Sequence, residues 1–201
     1  MPDLIPQDQI KNATLFSSRY DFIKTLPKEI SYLEAGVLAG DFSLKVIETI
    51  NPKISYLVEP FFEIDWHAPE YGGPRWGKAE DHYSFILNRF KNIKNVKIYK
   101  GTFEDFFKEN KQDKIDFIYM DYNTDYFSVE KQLLMGAEIL SDDGVLGFND
   151  YNIYFNNTVT GEKMGVVPAI NDFLRNNSNW YVYAFALNDN LTSDIYLKKL
   201  Q

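Results

Sequence analysis

The fold is decided by the stretch Tyr32-Leu33-Glu34-Ala35-Gly36-Val37-Leu38-Ala39-Gly40-Asp41-Phe42-Ser43. Its pattern predicts a short buried strand, then a turn flanked by Gly36 and Gly40, then a helix that begins near Phe42. Glycines let a ligand approach the backbone of such a turn, and the free N–H groups at the start of the helix favour a carboxylate or a phosphate. The spacing Glu-x-Gly-x-x-x-Gly differs from the Gly-x-Gly-x-x-Gly of dinucleotide-binding enzymes. We therefore expect a nucleotide-type cofactor site that lacks the pyrophosphate fingerprint.

The rest of the chain alternates between strand-like and helical segments. Apolar runs predict strands at residues 31–35, 54–59, 95–100, 115–121 and 144–149. Apolar spacing predicts helices near residues 8–24, 42–50, 78–92, 103–110, 127–140 and 165–176. The runs 180–187 and 194–198 predict a closing hairpin. This alternation is typical of an α/β fold, with a parallel sheet and helices on both faces.

Four segments resemble the motifs of class I S-adenosylmethionine-dependent methyltransferases, in the order that this family uses. They are Leu33-Glu34-Ala35-Gly36-Val37 with Gly40-Asp41-Phe42-Ser43, Leu57-Val58-Glu59-Pro60, Ile115-Asp116-Phe117-Ile118-Tyr119-Met120-Asp121, and Leu140-Ser141-Asp142-Asp143-Gly144-Val145-Leu146-Gly147-Phe148-Asn149-Asp150-Tyr151. The most similar subgroup is that of small enzymes related to sugar-type and catechol-type O-methyltransferases, over roughly residues 15–200. The resemblance implies a Rossmann-like, seven-stranded, mostly parallel sheet that ends in an antiparallel hairpin. It also implies that S-adenosylmethionine gives a methyl group to a small molecule, on a hydroxyl oxygen.

Composition limits the class of protein and its partners. With 201 residues and an apolar share of 45%, we expect one domain over residues 1–201, with an N-terminal helical cap at 1–28. There is no cysteine, which excludes a disulfide and a cysteine nucleophile and fits a reducing compartment. No signal peptide or membrane span is visible, so we expect a cytoplasmic protein without membrane contact. The net charge of -8 disfavours nucleic acid and favours a small-molecule substrate.

A long excursion at residues 61–77 interrupts the regular alternation and carries Trp66, His67, Tyr71 and Arg75. It follows a strand at its carboxyl end, the edge at which open α/β sheets bind ligands. We interpret it as a substrate lid; a covering loop or an oligomer contact is the alternative. With the hairpin edge it could support a homodimer, which nothing in the sequence specifies.

The predicted cofactor-binding residues follow the ends of the strands and the turn. They are Glu34, Gly36, Gly40, Asp41, Phe42, Ser43, Glu59, Thr102, Phe103 and Asp121. Glu59 is placed to accept hydrogen bonds from two ribose hydroxyls, or is a strand-end carboxylate in water. Asp41 orients the methionine end of the cofactor or caps the helix behind it. By resemblance Thr102 and Phe103 lie along the adenine, while Thr102 and Asp105 also predict a capping box.

Two aspartates end strands that we expect to be neighbours in the sheet. Asp121 and Asp150 would then point into one crevice, where they could hold a divalent cation. In catechol-type and sugar-type relatives, magnesium bound at such places binds two substrate hydroxyls and lowers the pKa of the one to be methylated. Asn149 could add an amide oxygen, so the predicted metal ligands are Asp121, Asp150 and Asn149.

One departure from the family pattern concerns the general base. Relatives often carry Asp-Gly-Asp-His-x-Tyr, whereas this chain has Asp121-Tyr122-Asn123-Thr124-Asp125-Tyr126, with Thr124 at the histidine position. Threonine is no base near neutral pH, so we predict Asp150, His67 and Asp121 as the catalytic residues. His82 lies inside a predicted helix, which favours a surface or core role. The tyrosines at 122, 126, 151 and 154 either pack or wall an aromatic or sugar substrate.

Two other classes of function remain open from the sequence. Thr124 in place of histidine is compatible with a protein that binds the cofactor but has no turnover. A nicotinamide-dependent oxidoreductase could share the sheet, but the glycine spacing disfavours it.

Overall fold

The structure is a computed structural model, and it describes residues 4–61, 81–151, 164–188 and 193–200. Within these ranges there are eight strands: β1 (Thr14–Phe16), β2 (Ser31–Ala35), β3 (Ile54–Glu59), β4 (Val96–Lys100), β5 (Ile115–Met120), β6 (Leu140–Phe148), β7 (Trp180–Leu187) and β8 (Ser193–Lys199). The helices are α1 (Gln7–Ile10), α2 (Arg19–Ile23), α3 (Asp41–Ile50), α4 (His82–Phe90), α5 (Phe103–Asn110), α6 (Tyr126–Ile139) and α7 (Val166–Asn176). None of these helices is long and apolar enough to cross a membrane.

The strands form a single sheet in the order β1-β7-β8-β6-β5-β2-β3-β4. β8 runs antiparallel to both β6 and β7, and every other pair is parallel. The predicted α/β class, the mostly parallel sheet and the antiparallel closing hairpin are therefore confirmed. From β2 the chain moves to β3 on one side, whereas β5 pairs with β2 on the other. A crevice opens at the carboxyl ends of the strands at such a switch point, between β2 and β5.

The number of strands was predicted wrongly, because the sheet has eight strands rather than seven. The extra strand, β1, pairs in parallel with β7 at the edge, with Thr14 opposite Ala184. It lies inside the segment 8–24 that was predicted as one leading helix. That segment instead contains α1, β1 and α2, and Ser18 caps α2 by accepting a hydrogen bond from the Asp21 N–H. The apolar residues of this segment belong to two short helices and an edge strand, but their combined spacing along the sequence resembles that of a single helix.

The core lies on both faces of the sheet, because neighbouring residues of a buried strand point to opposite sides. Leu33 and Ala35 of β2 pack on the side of α5, α6 and α7. Tyr32 of the same strand packs on the other side, with side chains from α2, α3 and α4. The helices on both faces leave the carboxyl ends of β2, β3 and β5 as the edge at which a ligand can reach the backbone.

Candidate active site

A cavity of about 390 Å³ opens at the carboxyl ends of β2, β3 and β5. It is lined by Glu34, Gly36, Val37, Leu38, Ala39, Asp41, Phe42, Glu59, Asp121, Tyr122 and Asn123. Six of the predicted cofactor residues thus meet in one place: Glu34, Gly36, Asp41, Phe42, Glu59 and Asp121. Four of the lining side chains carry carboxyl groups, and none of the described residues that line the cavity is basic. The lining of the cavity is therefore rich in carboxyl groups.

The two glycines of the turn are required by contacts within the protein. Gly36 has φ +89°, and a Cβ atom there would lie 1.9 Å from the backbone oxygen of Asp121. Gly40 has φ +73°, and its Cβ would lie 2.7 Å from the ring of Phe90. The positive φ values and these close approaches both exclude a side chain. Gly36 in particular lets the turn after β2 lie directly against the end of β5, which forms the floor of the cavity.

Glu59 holds the turn from the end of β3. Its Oε2 atom accepts hydrogen bonds from the N–H groups of Val37 at 2.9 Å and Leu38 at 3.2 Å. These contacts occupy backbone donors of the turn that precedes α3. The Oε1 atom accepts a long hydrogen bond from the Phe61 N–H at 3.5 Å, and the side chain also lines the cavity. The ribose role itself stays a prediction.

The other side of the turn is fixed by α4. Arg89 donates to the Ala39 carbonyl at 2.7 Å and to the Asp41 carboxylate at 2.6 Å. His82 Nε2 lies 2.6 Å from the Leu38 carbonyl oxygen, and its side chain is buried. His82 therefore has a structural contact with the turn, in line with its place inside a helix.

The alternative of a capping role for Asp41 is wrong. The N-cap of α3 is Gly40 in the left-handed conformation, with no side-chain cap, and Asp41 lies in the first turn. Ser43, which was predicted to contact the cofactor, is fully buried within α3, whereas Phe42 lines the cavity and packs 4.4 Å from the Tyr119 ring.

Glu34 is a buried carboxyl group on the floor of the cavity, with an exposed fraction of only 2%. The Tyr32 hydroxyl donates to its Oε2 atom at 2.5 Å. Burial raises the pKa of Glu34 to about 8, and the hydroxyls of Ser43 and Tyr32 oppose the rise only in part. Burial therefore favours the protonated, uncharged form of this carboxyl group at neutral pH.

The predicted acidic crevice forms where β5 and β6 end. Asn149 Nδ2 donates to Asp121 Oδ1 at 2.9 Å, and Asp150 follows with a left-handed φ of 57°. Asp121 opens onto the cavity but is otherwise surrounded by protein atoms, and this burial raises its pKa. Burial and the charge of Asp121 likewise raise the pKa of Asp150 to about 6. Two carboxyl groups thus lie near each other in one crevice, and the charge of Asp121 makes ionisation of Asp150 harder.

Arg19 of α2 enters this crevice, although no motif in the sequence pointed to it. Its Nη2 atom donates to Asn149 Oδ1 at 2.7 Å and to Asp194 Oδ1 at 3.1 Å. The guanidinium carbon lies 5.3 Å from the centre of the Phe42 ring and 5.7 Å from that of Tyr119. Burial works against the charged form, but Tyr119, Asp194 and Asp121 outweigh it and raise the pKa of Arg19. The crevice therefore contains a fixed positive charge.

Asp194 of β8 is the buried partner of Arg19, and no motif pointed to it either. Its side chain has no exposed area and also accepts hydrogen bonds from the hydroxyls of Tyr119 at 3.0 Å and Tyr196 at 2.8 Å, and from Asn188 at 2.9 Å. The only signal in the sequence was an aspartate at the start of an otherwise apolar strand, Asp194-Ile195-Tyr196-Leu197. A charged residue in such a place needs a buried partner, but the sequence does not say which.

The donor set of this crevice does not fit the predicted magnesium ion. The amide oxygen of Asn149, predicted as a ligand, accepts a hydrogen bond from Arg19 instead, and its nitrogen faces Asp121. The guanidinium also places a positive charge beside both aspartates, since it affects the pKa of each. Among the described residues, no group of three or more histidine, cysteine, aspartate or glutamate side chains could hold a metal. The metal role of Asp121, Asp150 and Asn149 is therefore not supported.

A second cavity of about 210 Å³ adjoins the first, and Tyr122 and Asn123 line both. Thr102 and Phe103, predicted to lie along the adenine, line this second cavity. The capping box is present: Asp105 N–H donates to Thr102 Oγ1 at 3.1 Å, and Thr102 N–H donates to Asp105 Oδ2 at 3.2 Å. The adenine role of this loop stays a prediction.

Two predicted features lie outside the described residues. His67 and most of the lid segment 61–77 fall between residues 61 and 81, and Tyr154 falls between residues 151 and 164. Of the other tyrosines near the crevice, Tyr126 donates to Asp172 at 3.0 Å and Tyr151 donates to Asn171 at 2.6 Å. Both hydroxyls thus have contacts within the protein.

Comparison with known proteins identifies the family. Residues 33–151 match the methyltransferase domain family 24, and no curated protein sequence matches the chain. Similar solved structures include an rRNA methylase from Streptococcus thermophilus, with TM-score 0.60 and 13% identity over 91% of this chain and 95% of that one. Fibrillarin from Aeropyrum pernix, solved with natively bound S-adenosyl-L-methionine, has TM-score 0.60 and 15% identity over 89% and 73%. A precorrin-6y C5,15-methyltransferase from Geobacter metallireducens has TM-score 0.59 and 12% identity over 91% and 85%.

At these identities the solved structures show the fold alone, whereas the family match covers more than half of the chain. The resemblance to class I methyltransferases is confirmed, and the sugar-type and catechol-type subgroup stays a prediction. The chain belongs to the methyltransferase domain family.

Proposed function

We propose that this protein transfers a methyl group from S-adenosylmethionine to a hydroxyl oxygen of a small molecule. The observation that carries the proposal is the cavity at the glycine turn, lined by Glu34, Asp41, Glu59 and Asp121 without a described basic side chain. S-adenosylmethionine carries a positive sulfonium and a positive ammonium group, which an acidic cavity attracts. Nicotinamide dinucleotides carry a negative pyrophosphate, which the same cavity would repel.

A small-molecule acceptor is favoured over nucleic acid by charge. The chain has 21 basic and 29 acidic residues, for a net charge of -8. Proteins that hold nucleic acid neutralise several phosphates with lysine and arginine, so a net negative chain needs a concentrated basic surface. Arg19 and Arg89, which contact the cavity residues Phe42 and Asp41, are already paired with Asp194 and Asp41. Because some structural neighbours are rRNA methylases, an RNA acceptor belongs in any substrate screen.

The chemistry requires alignment and the removal of one proton. S-adenosylmethionine supplies a methyl group on a positively charged sulfur that is already a good leaving group. The acceptor oxygen forms a bond to the methyl carbon, the carbon–sulfur electrons stay on sulfur, and the acceptor proton goes to a base. Asp150 is our proposed base, since it lies in the crevice with a pKa of about 6, and His67 is the alternative.

The cofactor proposal predicts that S-adenosylhomocysteine binds with a dissociation constant on the order of micromolar, and that Glu59→Gln weakens binding by about tenfold or more. Glutamine keeps an oxygen that can accept from the Val37 and Leu38 N–H groups, so the turn is retained while the charge is lost. Glu59→Ala would remove both the charge and the hydrogen bonds to the turn, so it could not show which of the two matters for binding. Isothermal titration calorimetry measures the effect.

The matched control is Glu138→Gln, on a half-exposed carboxylate that pairs with Lys111 at 2.6 Å and lines neither cavity. It should bind S-adenosylhomocysteine as wild type does. Binding of NAD with no binding of S-adenosylhomocysteine would contradict the cofactor proposal and restore the oxidoreductase alternative.

The base proposal predicts that Asp150→Asn lowers kcat by about 100-fold or more, with little change in the affinity for S-adenosylhomocysteine. Asparagine has nearly the same shape but cannot take up a proton near neutral pH. The measurement is transfer of radioactive methyl groups from S-adenosylmethionine to a panel of catechols, sugars and RNA. If Asp150→Asn has full activity and His67→Gln has none, the base is His67.

The binding-only alternative is separated by the same assay. Thr124 stands where relatives carry a histidine, and its carbonyl accepts a hydrogen bond from the Gly165 N–H. Tight binding of S-adenosylhomocysteine without methylation of any acceptor in the panel would favour a protein without turnover.

A further inference from the structure

In the crevice at the ends of β5, β6 and β8, several carboxyl groups lie around one positively charged side chain, Arg19. The pKa values of Glu34, Asp121, Asp150 and Asp194 are all influenced by the charge of Arg19. Arg19 is the cation that this arrangement uses to balance them, and its side chain is only 14% exposed. A cation cannot easily displace the guanidinium, because Asp194 is fully buried and would lose its positively charged partner.

Arg19 also decides which way the Asn149 amide faces. Its Nη2 atom donates to Asn149 Oδ1 at 2.7 Å, which forces the Asn149 NH₂ group toward Asp121 Oδ1 at 2.9 Å. A metal ligand needs the reverse orientation, with the amide oxygen directed at the ion. The guanidinium therefore excludes a cation in two ways, by its charge and by its effect on a neighbouring ligand.

Arg19 is also held in this place by contacts with uncharged side chains. Its Nε atom donates to Asn188 Oδ1 at 3.2 Å, and its backbone N–H donates to the same oxygen at 3.3 Å. The guanidinium lies over the rings of Phe42 and Tyr119, where a planar cation is favoured. Asn188, the residue after β7, and the two aromatic rings thus hold the guanidinium of Arg19 in place, so the positive charge is fixed before a ligand binds.

We propose that Arg19 takes the place of a divalent cation in this crevice, so that the protein works without a metal and Arg19 acts as a positioning residue for Asn149 and Asp121. The proposal rests on the proposed function only in taking this crevice as the place where the acceptor hydroxyl loses its proton. Two consequences follow. Wild-type protein has no specific site for Mg²⁺ or Mn²⁺, and removal of the Arg19 charge frees Asp121, Asn149 and Asp150 to bind one.

The test is titration of Mn²⁺ alone into the full-length protein, followed by the electron paramagnetic resonance signal of free Mn²⁺. Wild type should show no site that depends on Asp121. Arg19→Met keeps a long apolar side chain between Phe42 and Tyr119 and should bind Mn²⁺ about tenfold or more tighter than wild type. The gain should disappear in Arg19→Met with Asp121→Asn. Arg175→Met removes a positive charge from an exposed pair with Asp172 and should show no gain.

Several outcomes would overturn the proposal. One is Mn²⁺ binding by wild type that Asp121→Asn abolishes, and another is a folded Arg19→Met variant without the gain. If Arg19→Met does not fold, Asn149→Asp serves instead: it adds a third carboxylate while Arg19 remains, so it should gain no Mn²⁺ site, and a gain would overturn the proposal. Binding of S-adenosylhomocysteine is measured separately with and without EDTA. A failure to bind it would contradict the proposed function and leave the Mn²⁺ result intact.

Discussion

Gly36→Ala is expected to lower the free energy of unfolding by about 3 to 5 kcal/mol and to abolish cofactor binding in whatever remains folded. The new Cβ would lie 1.9 Å from the Asp121 backbone oxygen and 2.5 Å from its carbonyl carbon, and the residue would keep a φ of +89°. No rotamer change relieves this contact, because the obstructing atoms are backbone of the adjoining strand end. Either the turn or the end of β5 must move, and both line the cavity. Urea denaturation followed by circular dichroism measures the loss.

The control for this prediction is Gly101→Ala, at the same edge of the sheet. Its Cβ would meet the ring edge of Tyr99 at 2.7 Å, and the glycine has no positive φ. A partly exposed side chain can turn aside, so the expected loss is about 1 kcal/mol or less. If Gly36→Ala were as stable as Gly101→Ala, the close approach of the turn to β5 would be wrong, and with it the shape of the proposed site.

The parallel part of the fold could be read from the sequence because its strands are buried on both faces. β2, β3 and β5 are short apolar runs between helices, and β2 and β3 have the predicted bounds. The segment before residue 25 could not be read in this way. β1 has only three residues and takes its place from pairing with β7, in which each partner residue is 170 positions away, as Thr14 is from Ala184. Local spacing carries no information about such a partner.

The residues of the candidate site also fall into two groups, those that belong to a local sequence pattern and those that do not. Glu34, Gly36 and Glu59 belong to local patterns, a strand followed by a glycine turn and a strand end, and these patterns brought them to one cavity. Arg19 and Asp194 belong to no motif, and they meet across 175 residues because α2 covers the ends of β6 and β8. The metal prediction lacks support for this reason. It took account of the carboxylates, which follow strands, but not of the arginine, which comes from a helix that the sequence pattern misplaced.

Asp194→Asn is expected to destabilise the protein by about 3 to 5 kcal/mol, since it leaves the Arg19 guanidinium buried without a counter-charge. The side chain of Asp194 has no exposed area, and its two oxygens accept from Arg19, Asn188, Tyr119 and Tyr196. An asparagine in its place offers one acceptor oxygen, and its NH₂ group would face donors. The measurement is again urea denaturation.

Glu138→Gln is the matched control. It tests whether the loss of stability depends on the exposure of the ion pair rather than on the distance between its charged atoms. The Lys111–Glu138 pair is shorter than the Arg19–Asp194 pair, at 2.6 Å against 3.1 Å, but about half of each side chain is exposed. Water screens such a pair, so its loss should change the stability by about 0.5 kcal/mol or less. Equal losses for the two variants would mean that Asp194 is reached by water. The charge of Arg19 would then not exclude a metal, because a guanidinium that water can solvate is able to move away from Asn149.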